Sequence, residues 1–402
     1  MKLSKVNILK FIIGASIIAI PFLSNWYSTI RTDQNSLLSP LQIIRGGTLI
    51  LLIAILGSSF KQLNIQKLML GPLLWMIFIL VVLAIPQSSI AGNLVEAFQL
   101  AYISIFLFCG YYISQYDKSL ENWLYNIGLV MLVSTIALQI YGYSIGSTSY
   151  RSEFGLAGLG DRASVTARIL NVIILILLIK IRDYKLKHWL ILAIAFISLT
   201  FTLRRGSLIG AVLSLIAIIT VMLFYDRTTK KTLRIAFSFT TVFAIGIFII
   251  FNSPVYVELL TRMEGINIAA GGTGSGRLNF WAAGLQSGID RPFIEILFGE
   301  GVGNVSRAIG RNFFIDITAH NLWLSYFISL GFIGLLLILY WHFKLIYLCK
   351  KINIKYKPIL IASLISILFV GFTDGSILNP TWSPVYFLIG IIVQKSNYEI
   401  TR

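Results

Sequence analysis

Two kinds of residue in this sequence can do chemistry. The stretch from Ser253 to His320 carries Arg262, Arg277, Arg291, Arg307 and Arg311 but no lysine. A planar guanidinium grips phosphate or carboxylate oxygens through two parallel hydrogen bonds, which an ammonium cannot do. The stretch ends in the run ITAHNLWLSYF, where His320 precedes Asn321. An imidazole that titrates near neutral pH can take a proton from an attacking hydroxyl. The same position reads equally as a helix-capping or interfacial histidine.

A second cluster lies in LTFTLRRGSLIGAVL, where Arg204, Arg205 and Gly206 form the whole expected connection between two apolar runs. The backbone N–H groups and dipole at the following helix start favour an anion, so paired guanidiniums there make a phosphate site. The alternative is two arginines reaching out to lipid headgroups. Arg168 lies about one turn inside its run and follows the polar loop YRSEFGLAGLGDRASVTAR, which adds Arg151 and Arg162. Arg45 is placed similarly, and lipid contact is its favoured reading. The carboxylates expected on the same side, among them Glu153, Asp316 and Asp374, form no D-x-D, and the histidines have no metal-ligand spacing. No metal and no cofactor are expected.

These residues are held by a chain of 402 residues that is 57% hydrophobic and only 12% charged, too apolar for a soluble domain. Apolar runs fall at roughly 9–26, 41–59, 68–86, 92–114, 122–144, 164–181, 187–203, 206–225, 235–252, 320–343, 358–373 and 382–394. The expected fold is an all-α polytopic membrane protein of about 12 transmembrane helices. Residues 1–252 carry helices one to nine, 253–319 form a large outer loop, and 320–402 carry the last three. The formal net charge of +17 then reflects the positive-inside bias and not nucleic acid. Lys2, Lys5 and Lys10 put the N-terminus in the cytoplasm, and Lys61, Lys67, Lys118, Lys185, Lys230 and the cluster Lys350 to Lys357 sort to the same side. Both termini are therefore cytoplasmic. The outer cations are all arginine, and Cys109 and Cys349 lie near the reducing side, so no disulfide is expected. Within the large loop, Leu278, Trp281, Leu285 and Ile289 recur near helical spacing and predict an interfacial amphipathic helix. Glycines precede it, and GEGVGN after it predicts a second turn.

Three patches together resemble the bacterial O-antigen ligase and polysaccharide (O-antigen) polymerase superfamily. The T-L-R-R-G turn is similar to a Ser/Thr-x-x-Arg-Gly/Ala signature with Arg205 as its arginine. GSGRLNFW resembles S-G-R-x-x-x-W, with Arg277 and Trp281, and AHNLWL resembles H-N-x-x-L, with His320 and Asn321. The chain departs from the family where Asn-Pro-Asn is common and Gly160, Asp161 and Arg162 stand instead. The resemblance implies a fold like C-type glycosyltransferases, a periplasmic active site in the bacterial inner membrane, and no metal. It implies a polyprenyl-diphosphate-linked glycan as donor and acceptor, membrane lipid as surroundings, and room for a chain-length regulator protein as partner. His320, Arg205 and Arg277 would be catalytic, and Arg168, Arg204, Arg151, Asn321 and Trp281 would bind substrate. The succession of motifs favours a polymerase, with a ligase to lipid A core or an O-oligosaccharyltransferase as alternatives. A lipid-linked glycan transporter is the reading from another class. It requires charges near the bilayer midplane and internal repeats, whereas here the charges sit at span ends and no 20–50-residue period appears.

Overall fold

A segment in hydrocarbon must satisfy its own backbone hydrogen bonds, so long apolar runs fold as helices. The computed structural model describes residues 2–29, 40–57, 90–144, 149–150, 153–154, 158, 163–183, 185–225, 277–301, 321–348, 352, 355–374 and 380–400, with single positions between 74 and 78 and between 237 and 248. The elements are α1 (Lys2–Thr29), α2 (Pro40–Gly57), α3 (Ile90–Tyr116), α4 (Leu120–Ser144), α5 (Ala163–Leu177), α6 (Leu186–Thr200), α7 (Arg205–Tyr225), α8 (Arg277–Ile289), α9 (Phe293–Phe298), α10 (Leu322–Leu348), α11 (Lys357–Asp374) and α12 (Ser383–Ile400). A 3-10 turn, Leu178–Asp183, continues α5, and another, Pro380–Trp382, leads into α12.

Among the described residues, 5 helices are long and apolar enough to cross a membrane: Ala97–Tyr116, Leu120–Ser144, Ala163–Ile181, Gly206–Phe224 and Leu322–Tyr347. Ile43–Gly57, Leu186–Thr200 and Lys357–Gly371 are shorter apolar helices. The expectation of about 12 spans counted apolar runs alone, and an apolar run does not always become a helix of its own length. The run at 187–203 yields the 15-residue helix Leu186–Thr200 because the chain turns before the run ends. The expected spans at 68–86 and 235–252 lie mostly outside the described residues. A second difference is a small antiparallel pair in the loop before α5, β1 (Ser149–Tyr150) with β2 (Glu153–Phe154), in register Ser149↔Phe154.

The lysine-bearing turns gather at one end of the bundle. Lys10 on α1 pairs with Asp117 in the α3–α4 turn at 2.7 Å. Glu121, opening α4, accepts hydrogen bonds from Tyr356 before α11 and from Lys395 on α12. His188 at the start of α6 meets the Tyr125 hydroxyl at 2.8 Å. Side chains from six different helices and turns thus make contacts at the end where the sequence put its lysines. The starts of α5, α7 and α12 point the other way.

Asp117 makes this end sensitive to acid. Burial alone would raise its carboxyl pKa, but hydrogen bonds from Lys10 and from the Ser119 hydroxyl and backbone N–H outweigh that and hold it below the ordinary carboxylate range. A depressed folded-state pKa contributes stability that is full above the unfolded value of about 3.9 and is lost as pH falls through the folded one. Asp117→Asn should therefore lower stability at pH 7 by about 1 kcal/mol or less, the pair being partly exposed. Thermal unfolding of both proteins in detergent from pH 7 to 3 should show the difference closing with acid. A gap that stays constant at pH 3 would count against the assignment.

Small residues decide where helices touch, since hydrocarbon gives no hydrophobic drive for association. A Cβ on Gly110 of α3 would collide with the Phe387 carbonyl of α12, and one on Gly390 with the Leu107 carbonyl. Reciprocal glycines thus bring these two backbones into contact. The last helix is thereby fixed in the centre of the core, with Tyr386, Phe387, Ile389 and Trp382 all buried. Beside it, His342 of α10 is fully enclosed: its Nδ1 donates to the Ile338 carbonyl at 2.8 Å and its Nε2 accepts from the Tyr386 hydroxyl at 3.2 Å. Both ring nitrogens are used, which makes His342 a packing residue.

Candidate active site

The α6–α7 connection differs from its sequence reading. Residues Phe201–Leu203 form the turn, and α7 already begins at Arg205. The N–H of Thr202 bonds to Leu199 O at 3.1 Å and that of Leu203 to Thr200 O at 2.9 Å, tightening the end of α6. Leu203 then takes φ 54, a left-handed conformation normally left to glycine. A non-glycine residue there stores about 1–3 kcal/mol of strain, and such strain clusters at functional sites. Its consequence is positional: the chain reverses within three residues and delivers Arg204 and Arg205 at the first turn of α7. Arg204 is half-buried.

A buried amide joins this turn to the helix that carries Arg168. Asn171 on α5 donates through Nδ2 to the Ala167 carbonyl on its own helix and to the Ser207 carbonyl in the first turn of α7, both at 3.1 Å. Arg168 lies three residues before Asn171, on the same side of α5. It is half-buried, and its Nε is enclosed with no hydrogen-bond partner among the described residues. The first turn of α7, with Arg204 and Arg205 at its start, is therefore fixed against the third turn of α5, one turn beyond Arg168. The preceding loop is pinned to the first turn of α5 by the Gly158 N–H, which donates to Thr166 Oγ1 at 2.8 Å. Gly158 has no room for a side chain against Thr135 and Thr166. Arg151 and Arg162 in that loop lie outside the described residues.

Arg277 opens α8, as the S-G-R-x-x-x-W pattern implies, and Trp281 follows one turn later, half-buried. The face of α8 that packs on the protein is made of small residues. Gly284 and Gly288 are buried, and Gly288 sits against the Phe327 ring of α10, whereas Leu285 and Ile289 are 50% and 55% exposed. The small-residue stripe docks on protein, which leaves the large apolar residues facing outward as an interfacial helix would.

Arg291, read from sequence as one of the anion-gripping arginines, is committed to structure. Its Nε lies 3.3 Å from Glu300 Oε1 and donates to Ser287 O, and its Nη1 donates to Ile328 O, with both side chains almost fully buried. The Glu300 and Gly301 N–H groups bond Ile328 O and Ser329 O at 3.0 and 2.8 Å. Opposite them α10 breaks its helical path at Gly331, φ 66, and Gly299 takes φ 81. A Cβ on either glycine would strike the other segment's backbone. Glu300 carries no spacing signal in the sequence, because its partner is nine residues away and becomes a neighbour only once α9 folds back on α10. A guanidinium cannot shed its proton to escape burial, so Glu300→Ala should cost on the order of 3 kcal/mol. A thermal midpoint equal to that of the unmodified protein would show that the pair does not hold the loop.

Asn321 is the N-cap of α10: its Oδ1 accepts the Leu324 N–H at 3.2 Å, and its carbonyl accepts the Ser325 N–H and hydroxyl. The cap that His320 was one candidate for is thus supplied by its neighbour. His320 itself lies outside the described residues, as do Arg307, Arg311 and Arg262.

No curated protein matches the chain. The chain's apolar helices are those of a multi-pass membrane protein, and part of the chain is similar to a family model described as O-antigen ligase. That model, Wzy_C, O-antigen ligase, matches residues 190–339, from α6 through the strained α6–α7 turn and the α8–α9 loop to α10, and this similarity supports the resemblance to the O-antigen ligase and polysaccharide polymerase superfamily.

Proposed function

We propose that the protein polymerises polyprenyl-diphosphate-linked oligosaccharide repeat units at the periplasmic face of the bacterial inner membrane, as an inverting, metal-independent glycosyltransferase. The observation that carries this reading is the Asn171 bridge, which ties the helix that carries Arg168, one turn beyond that arginine, to the helix start that carries Arg204 and Arg205. Two guanidiniums at a helix N-terminus and a third on the helix tied to it suit a diphosphate, whose negative charge grows as the glycosidic bond breaks. Arg277 reaches the same donor from α8, and Trp281 offers a flat face to a sugar ring. His320 takes the proton from the acceptor hydroxyl, which attacks the anomeric carbon directly. The carbon–oxygen bond to the diphosphate breaks as the new one forms, so configuration inverts and no glycosyl-enzyme intermediate arises. Arg151 lies in the loop that precedes α5 and completes the donor site.

The gathering of lysine-bearing turns at the opposite end of the bundle supports cytoplasmic termini and a periplasmic site. Purified protein given only lipid-linked repeat units should produce a ladder of products. A requirement for lipid A core before any product appears would turn the assignment to the ligase, which the family match equally accommodates.

A further inference from the structure

Arg45 belongs to neither part of this site. The sequence favoured lipid contact for it, yet in the structure it is half-buried on α2 and lines a cavity, and its Nε is enclosed with no hydrogen-bond partner among the described residues. The cavity is shared by α1, α2, α4, α5 and the start of α12. Every described residue lining it lies outside 190–339, the stretch that matches the family model. Its depth follows from the helices that form it. Val165 is in the first turn of α5 and Ser383 begins α12, whose far end carries the Lys395 that binds Glu121. Val165 and Ser383 therefore place one side of the cavity at the end of the bundle from which α5 and α12 start, away from the lysine end.

A guanidinium keeps its charge at any accessible pH, and a charge at this depth in a membrane is costly unless something answers it. Among the described residues, the remaining polar groups of the lining are hydroxyls and backbone, from Ser16, Thr381 and Ser383, with no carboxylate. The Ser16 hydroxyl already donates to Ile12 O. Among the described residues of the lining nothing supplies the negative charge, which an anionic ligand would bring. One wall is the apolar stripe Val165, Ile169 and Val172 of α5, at the spacing of one helix face. The cavity measures about 40 Å³, on a scale where one water needs about 10–15 Å³. That holds a phosphate group and excludes a sugar chain, so the hydrocarbon of a lipid would lie along the apolar wall outside it.

We propose that Arg45 and this cavity bind the phosphate head of a hydrocarbon-tailed lipid, at a site separate from the Arg204–Arg205 turn. Two lipids supply that chemistry, a polyprenyl phosphate and a bulk phospholipid such as phosphatidylglycerol. The full-length protein in a phosphate-free detergent would be titrated with radiolabelled polyprenyl phosphate, in the unmodified sequence and in an Arg205→Ala background that weakens the other anion site. Binding needs no glycan and no turnover, so its outcome is independent of the polymerase assignment. Arg45→Gln should weaken binding about tenfold in both backgrounds, a loss of about 1.4 kcal/mol, and Ile169→Trp, which fills the cavity while keeping the arginine, should do the same. Competition by phosphatidylglycerol at equal concentration identifies the bulk lipid as occupant, and its failure identifies the polyprenyl carrier. Undiminished binding in both variants would overturn the proposal. Complete displacement by inorganic phosphate alone would overturn the lipid part of it.

Discussion

His320→Ala should lose about 10²–10⁴ in the rate of glycan transfer, the usual cost of removing a general base, while still binding donor. A neutral hydroxyl is a poor nucleophile, and the base acts in the transition state, so kcat should fall and KM should hardly change. Only the neutral imidazole accepts a proton, and an imidazole ordinarily titrates near 6.5. Activity of the unmodified protein should therefore decline as the medium is taken below about pH 6.5, and this limb should vanish from the residual activity of the variant. Asn321 separates this role from a structural one. It already caps α10 through Leu324, so the helix start survives the loss of its neighbour. Retention of most of the turnover in a correctly folded His320→Ala protein would move the search for a base to Glu153, Asp316 and Asp374.

Arg205→Lys and Arg277→Lys should each reduce turnover by about 10²–10³, the scale of one preorganised group stabilising developing charge. Lysine keeps the positive charge, so a purely electrostatic role predicts a mild effect. A two-pronged grip on diphosphate oxygens predicts a severe one, because an ammonium cannot reproduce the fork. The double variant should fall short of the product of the two losses, since groups that hold one diphosphate act as a unit. Measuring initial rates with lipid-linked repeat units, with expression and thermal midpoint as controls, decides this. Full activity in both lysine variants would remove these arginines from the chemistry.

Where the information was local, the sequence was legible. The Arg204–Arg205 pair at a helix start, the helix opened by Arg277, the glycine turn after α9 and the chain's membrane character each depend on residues close together in the chain, where propensity and period act. The region singled out by motif overlaps the stretch that matches the family model. Packing was less legible. The amphipathic pattern of α8 did not show which residues meet the protein, and the buried Gly284 and Gly288 took that side. The arginines of the large loop looked alike, since a sequence does not show that Arg291 is closed against Glu300.

By itself the sequence determined the membrane class, the expectation that lysine gathers on one side, and the residue types able to hold a diphosphate and move a proton. Those follow from transfer free energies and side-chain chemistry, which belong to each residue wherever it sits. The tertiary structure decided which of these residues meet. Asn171 joins α5 to α7 through a backbone carbonyl 36 positions away, reciprocal glycines seat α12 against α3, and Arg45 faces a cavity assembled from five helices. Such contacts arise from steric fit between distant surfaces, and no local period encodes them.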